Sequence, residues 1–380
     1  MKRTHFFNFF IAVISIAIAV LIHIKFTKYE WQHLMFKPNP LLYFIPYSVE
    51  HFQFSQTILK LNITQKIGIV YLIYPKSVLS CYTSIKFLRK AGKTHFPVEL
   101  WYHSDESAMD IIGIFDNVVL KNIKDYNISV DVNLKNNYHF KSVAILHSSF
   151  EKVIYIDADA LVVSDLNYVL NSFNTDIIGA KDFWFTPASN PIYSLLNATP
   201  IVPWDMEAGF LVVNKSSVDV RKSLQMAFEM NINHKIFYKY IWGDKDTFRL
   251  SFEYYNISIG WLDSPAVVTS KFYSIKGNSM AHYFGKEVMI IHMTLLKDDV
   301  KMNGNPFNFV WKEDIHGPTS LNYFNLGTIG HLIKPKCVMA LNNEINNAFW
   351  KYRMEAAHKL QLLGYIVDYK TGDKFITLSK

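Results

Sequence analysis

Apolar positions fall into two kinds of run along this chain. From Phe6 to Ile22 only Asn8 and Ser15 interrupt an apolar stretch, bracketed by Met1-Lys2-Arg3 and by His23-Ile24-Lys25. That length just spans a bilayer. No small-x-small cleavage pattern follows it, so it predicts an uncleaved anchor over 6–26 behind a tail of 1–5, rather than a removed signal peptide. Residues 27–65 show no clear period and are expected to form a stem. From Ile67 the runs become short and strand-like. Ile67 to Ile73 predicts a buried strand, Val78 to Lys90 has helical spacing, and Pro97 to Tyr102 predicts a second buried strand.

A strand, a helix and a parallel strand open a nucleotide-binding α/β sheet. Neither G-x-G-x-x-G nor a P-loop follows the first strand, which disfavours a dinucleotide site or an ATPase. Further along, His139 to Phe150 predicts a helix, and Lys152 to Asp157 a strand ending in acid. Asp176 to Ala180 and Ala208 to Val213 predict strands, Val218 to Met230 and Gly243 to Phe252 helices, Trp261-Leu262 a short extended piece, and Val288 to His292 a last buried strand. No repeat or Gly/Pro/Ser-rich linker divides this, so one catalytic domain over 66–325 with a C-terminal extension over 326–380 is the simplest partition.

Composition changes this picture little. Half of the 380 residues are hydrophobic, enough to bury a large core, and 16% are aromatic, which offers rings for stacking on sugars. The charge of +7 falls to about +4 without Lys2, Arg3 and Lys25, and no stripe of basic and aromatic residues points to nucleic acid. Two cysteines, Cys81 and Cys337, exclude a disulfide framework and a cysteine zinc site; one disulfide or two buried thiols both remain open. Basic residues on the two sides of the apolar run nearly balance. Sequons at Asn62, Asn127, Asn197, Asn214 and Asn256 all follow it, which favours a lumenal domain.

The chemistry concentrates at Asp157-Ala158-Asp159. A buried strand runs out into two carboxylates which, if extended, point to one side at the carboxyl edge of the sheet, where open α/β folds bind ligands. Adjacent acids repel unless a cation sits between them, and hard oxygen ligands suit Mn²⁺ or Mg²⁺ bridging to a diphosphate. A D-x-D also arises by chance in a chain this long, and Asp244-Lys245-Asp246 is a second example. Only the first follows a buried strand. His292 ends the last strand in the same manner and is a candidate third ligand, although a lone histidine there is more often structural. Asp182-Phe183-Trp184, Trp204-Asp205, Glu207-Ala208-Gly209 and Trp242-Gly243-Asp244 pair acids with rings or glycine, which suits a sugar pocket. Taken singly, each acid is more often a helix cap or a surface charge, and Asp244 stands where it could cap the helix that starts there.

With these residues in view, the chain resembles nucleotide-diphosphosugar transferases of the GT-A fold, a Rossmann-like mixed sheet flanked by helices. Within them it is most similar to the fungal α-mannosyltransferase family, glycosyltransferase family 71. The similarity rests on Thr83 to Arg89 with Pro97 to Leu100, on Lys141 to Ser164, and on Asp182-Phe183-Trp184. Glu207-Ala208-Gly209 with Asn214-Lys215, and Gly243 to Phe248, complete it. The family's usual Glu-Ser-Gly-Gln is Glu207-Ala208-Gly209-Phe210 here.

The resemblance implies a type II Golgi or ER membrane protein that transfers mannose from GDP-mannose to a glycan or glycoprotein with retention. By it Asp157 and Asp159 hold the metal, Lys141 reaches the nucleotide, and Asp182, Glu207 and Asp244 line the donor and acceptor sugars. The glycogenin-like family 8, using UDP-sugars and a metal-binding histidine near the last strand, is the second resemblance. A glycan-binding protein without catalysis fits less well, since the D-x-D, His292 and Asp244 are all intact.

Overall fold

The computed structural model describes residues 52–55, 61–74, 77–103, 113–126, 139–183, 186–200, 204–263, 265–269, 279–294, 306–307, 309–312, 336–340, 343–367 and 376–378. The opening strand, helix and strand are β1 (Gln65–Ile73), α1 (Val78–Lys90) and β2 (Val98–Tyr102), with β2 parallel to β1. β3 (Val118–Asn122) lies outside β2. After α2 (His139–His147), β4 (Phe150–Ile156) runs parallel to β1 on its other side. β1, β2 and β4 are covered on both faces, which is why they show as continuous apolar runs without alternation.

At Asp157 the chain leaves this sheet. The Ala160 N–H donates to Asp157 O at 3.0 Å, closing a tight turn, and β5 (Ala160–Val162) enters a second sheet. α3 (Leu166–Ser172), capped by Asp165 accepting from the Asn167 N–H, leads back to β6 (Ile177–Lys181). α4 (Pro191–Leu196) and then β7 (Met206–Asn214) follow, with β7 antiparallel between β4 and β6. α5 (Val218–Ile232), α6 (His234–Phe237) and α7 (Asp244–Tyr254) precede β8 (Ile259–Trp261), which completes the seven-stranded order β3-β2-β1-β4-β7-β6-β8.

β9 (Ala266–Thr269), β10 (Ser279–Phe284), β11 (Glu287–His292), β12 (Phe309–Lys312) and β13 (Lys336–Ala340) join β5 in an antiparallel sheet ordered β13-β12-β9-β10-β11-β5. α8 (Asn343–Leu362) lies on α1, where Phe87 and Tyr352 meet edge to face and Lys86 pairs with Glu355 at 2.8 Å. β14 (Tyr365–Val367) and β15 (Ile376–Leu378) form a small ribbon. One apolar cluster joins Tyr71, Leu88, Val162, Ile290 and Leu360, so both sheets and α8 share a core.

Several expectations change. α2 stops at His147 and not at Phe150, because Lys215 takes up its last carbonyls and Phe150 already belongs to β4. Asp157 and Asp159 are brought together by a turn rather than by an extended strand. The tail, the anchor and most of the stem lie outside the described residues, among which no helix is long and apolar enough to cross a membrane. Trp184 and Asn127 also lie outside. Phe52 and Phe54 of the expected stem pack on Phe237. Asn62, Asn197 and Asn256 are exposed, whereas Asn214 is bonded to Asp176 Oδ1 and to the Ser216 N–H. Cys81 is a free, buried thiol.

Candidate active site

Three stretches of backbone fix the site. The first is the turn after β4, tied to β7 through the Asp157 N–H donating to Gly209 O at 2.9 Å. The second is β11, whose pairing with β5 sets His292 opposite Ala160, while the Met293 N–H donates to Asp159 O. His292 Nε2 therefore lies 3.2 Å from Asp159 Oδ1 and 3.9 Å from Asp157 Oδ2. The third is β7. Its ladder with β6 changes register so that residues 208–210 fall between consecutive β6 pairings, an irregularity that aims Glu207 and Gly209 at the site.

Asp157, Asp159 and His292 each offer one ligand atom, and these atoms lie within 4.8 Å of one another. Two carboxylates and an imidazole form a donor set that fits a divalent cation such as Mn²⁺ or Mg²⁺.

Lys141, in the first turn of α2, is buried beside them. Its Nζ is 3.2 Å from both Asp157 oxygens, 3.0 Å from Asp244 Oδ2 and 3.1 Å from Ala208 O. It also lies over the Tyr155 ring, whose hydroxyl donates to Asp157 Oδ1 at 2.7 Å. The cap position of α7 belongs to Gly243 at φ +80°, and the Asp244 carboxylate faces Lys141.

Glu207 accepts from the Gly209 N–H at 2.9 Å and stands 3.0 Å from His292 Nδ1 and 3.6 Å from His282 Nε2. Asp182 occupies a neighbouring cluster, paired with Lys245 and bonded to the Phe183 N–H. Behind it Arg249 bridges Asp205 (3.3 Å) and Glu253 (2.8 Å), and Asp246 accepts from the Trp242 N–H.

Charge is unevenly shared here. The four carboxylates of Asp157, Asp159, Glu207 and Asp244 gather around Lys141, His292 and the more distant His282. Burial raises the Asp157 carboxyl, with Lys141 opposing and Asp159 adding repulsion. Burial works against the charge on His292 and Lys141, but the acids around them outweigh it and raise both. Burial likewise works against the Glu207 charge, yet the two histidines hold it well below the usual carboxylate range. Surplus negative charge in a dry pocket is what a bound cation relieves.

Of the residues singled out in the sequence, Asp157, Asp159, His292, Lys141, Asp244 and Glu207 form one connected network, and Asp182 stands next to it. Lys141, expected to reach a nucleotide, is held between Asp157 and Asp244. Glu207, expected to line the sugar, is turned to two histidines. Tyr155, His282 and Arg249 add to these, and Lys245, the middle of the second D-x-D, turns out to pair with Asp182. Tyr155 lies inside an apolar strand, and His282 and Arg249 carry no local signature.

Residues 66–175 match the family described as "Mannosyltransferase putative". No curated protein matches the sequence. Among solved structures, the galactosyltransferase LgtC, in complex with donor and acceptor sugar analogs, is 13% identical. That likeness covers 52% of this chain and 73% of that one, at a TM-score of 0.38. Mouse xyloside xylosyltransferase 1 is 14% identical over 53% of this chain and 86% of that one, at 0.37. The mannosyltransferase Ktr4p from S. cerevisiae is 13% identical over 56% and 74%, at 0.36. Over residues 66–175 the chain is similar to a mannosyltransferase family, and that similarity supports a glycosyltransferase.

Proposed function

We propose that this glycosyltransferase moves mannose from GDP-mannose, with retention, onto a glycan or glycoprotein acceptor, and that it depends on Mn²⁺ or Mg²⁺ held by Asp157, Asp159 and His292. The observation that carries the reading is the convergence of those three side chains at the carboxyl end of β4. When bound, the cation supplies charge neutralisation for a departing diphosphate.

The chain's own residues do the rest. Lys141 holds Asp157 and Asp244 in fixed relation, so that neither acid swings away from the pocket. Asp244 and Asp182 face the sugars and take their hydroxyl protons as hydrogen-bond acceptors. Retention and the GDP-mannose donor rest on the family 71 resemblance, as does a GT-A architecture for the mixed sheet. An anchor over 6–26 puts the domain in the lumen of the Golgi or ER.

The test is hydrolysis and transfer by the purified chain with GDP-mannose and UDP-sugars, with Mn²⁺ or with chelator. GDP-mannose turnover that chelation removes is expected. Asp157→Asn should lower it more than about 100-fold while leaving the melting temperature of the metal-free protein close to that of the parent. Full activity in that variant overturns the metal assignment. Turnover of UDP-sugars alone overturns the donor in favour of the family-8-like reading.

A further inference from the structure

We infer that Glu207 is a positioning residue: with Gly209 it fixes the ring of His292 so that Nε2 is presented to the Asp157–Asp159 pocket. This rests on the metal reading above and departs from the sequence expectation that Glu207 meets the sugar.

Both Glu207 oxygens are already engaged. Each accepts from the Gly209 N–H at 2.9 Å, Oε1 lies 3.0 Å from His292 Nδ1, and Oε2 lies 3.6 Å from His282 Nε2.

Each imidazole nitrogen faces a carboxylate, which can only accept: Nδ1 lies 3.0 Å from Glu207 Oε1, and Nε2 lies 3.2 Å from Asp159 Oδ1 and 3.9 Å from Asp157 Oδ2. A cation held with Asp157 and Asp159 would take the Nε2 lone pair in place of a proton, and the ring's remaining hydrogen would then sit on Nδ1, towards Glu207. Carboxylates behind metal-binding histidines act in this way, setting both the tautomer and the ring plane.

Gly209 supplies the clearance. A Cβ there would come within 2.7 Å of His292 Cε1 and Nδ1 and 2.9 Å of Glu207 Oε2, so any side chain must push the ring or the carboxylate aside. One short segment, Glu207-Ala208-Gly209, thus holds the acid, the N–H that fastens it and the gap into which the ring fits. His282, fully buried on β10, closes the far side of the carboxylate.

The experiment measures Mn²⁺ binding to the full chain by continuous-wave EPR, and the imidazole nitrogen coupling to bound Mn²⁺ by pulsed EPR, without donor or acceptor. Glu207→Ala should weaken Mn²⁺ about 10- to 100-fold and lose the nitrogen coupling. Glu207→Gln, which keeps an acceptor oxygen, should recover part of both. Gly209→Ala keeps the carboxylate intact and should shift both readouts in the same direction, so it still decides the question if Glu207→Ala fails to fold.

Parental affinity and coupling in folded Gly209→Ala and Glu207→Gln overturn the inference. Asp159→Asn separates the two levels. If it loses Mn²⁺ while the Glu207 and Gly209 variants keep it, only the positioning role falls. If Asp159→Asn binds Mn²⁺ as the parent does, the metal reading falls and this inference with it.

Discussion

Two buried ammonium groups flank α2, and they are held in opposite ways. Lys141, near its first turn, is surrounded by carboxylates, and these raise it against the pull of burial. Lys215, just past β7, reaches the other end of the helix. Its Nζ donates to Ile145 O and Leu146 O at 3.0 Å, to Ser148 O at 2.9 Å and to Ser148 Oγ at 3.0 Å. Those acceptors are neutral, and burial lowers Lys215 to about 7, with Glu99 opposing.

The second arrangement completes a helix end, where Ile145 O otherwise accepts from the Ser148 hydroxyl at 3.1 Å. The first is unnecessary for any helix. A lysine enclosed by acids in a pocket that still has acid to spare is organised around a ligand, whereas a lysine enclosed by carbonyls is organised around the fold.

Breaking this contrast begins at Lys141. Lys141→Met should lower transferase activity on the order of 100-fold or more, because Asp157 and Asp244 lose their common tie. Its melting temperature in the presence of Mn²⁺ should move less than that of Lys215→Met. Initial rates beside calorimetric melts check both, and a large stability loss with normal rates would reverse the assignment.

Lys215→Met should destabilise the protein by about 2–4 kcal/mol, the cost of losing several buried hydrogen bonds, as measured by urea unfolding. Its activity per folded molecule should stay near that of the parent.

The smallest expected effect is a dependence on pH. The folded value of Lys215 lies near 7 while the unfolded side chain titrates near 10.4, so between those values the unfolded chain binds the extra proton. Stability should therefore rise with pH across that window, and the rise should be smaller in Lys215→Met. Urea midpoints at pH 7, 8 and 9 for both proteins test it, and parallel curves would show that the carbonyls, not burial, set the charge of Lys215.

Much of the first sheet was legible because its strands are buried on both faces and stand out as apolar runs. Asp157-Ala158-Asp159 was legible because such a run ends in acid. The geometry that makes it a site was less so. The turn that pairs the acids depends on β5, three residues long, which is too short to announce itself. His292 was found at a strand end, yet its partner strand lies 133 positions away from it at the level of Asp159, and no local pattern encodes that register.

α7 is the least legible element. Asp244, Asp246, Arg249 and Glu253 are all charged, yet all four are buried, in contact with one another or with Lys141, Asp205 and Trp242. Asp246 is raised to about 7 by burial and by Asp205, which marks how little water reaches that cluster.

The turn between β4 and β5 is where the chain steps from one sheet into the other, and this gives the site an order of assembly. A nascent chain that has emerged through β8 holds the strands of the first sheet and both aspartates, but no imidazole. β11 arrives afterwards and zips onto β5, delivering His292. Capture of a cation by all three side chains would thus report that β11 has docked onto β5, making the pocket a built-in check on the joining of the two sheets.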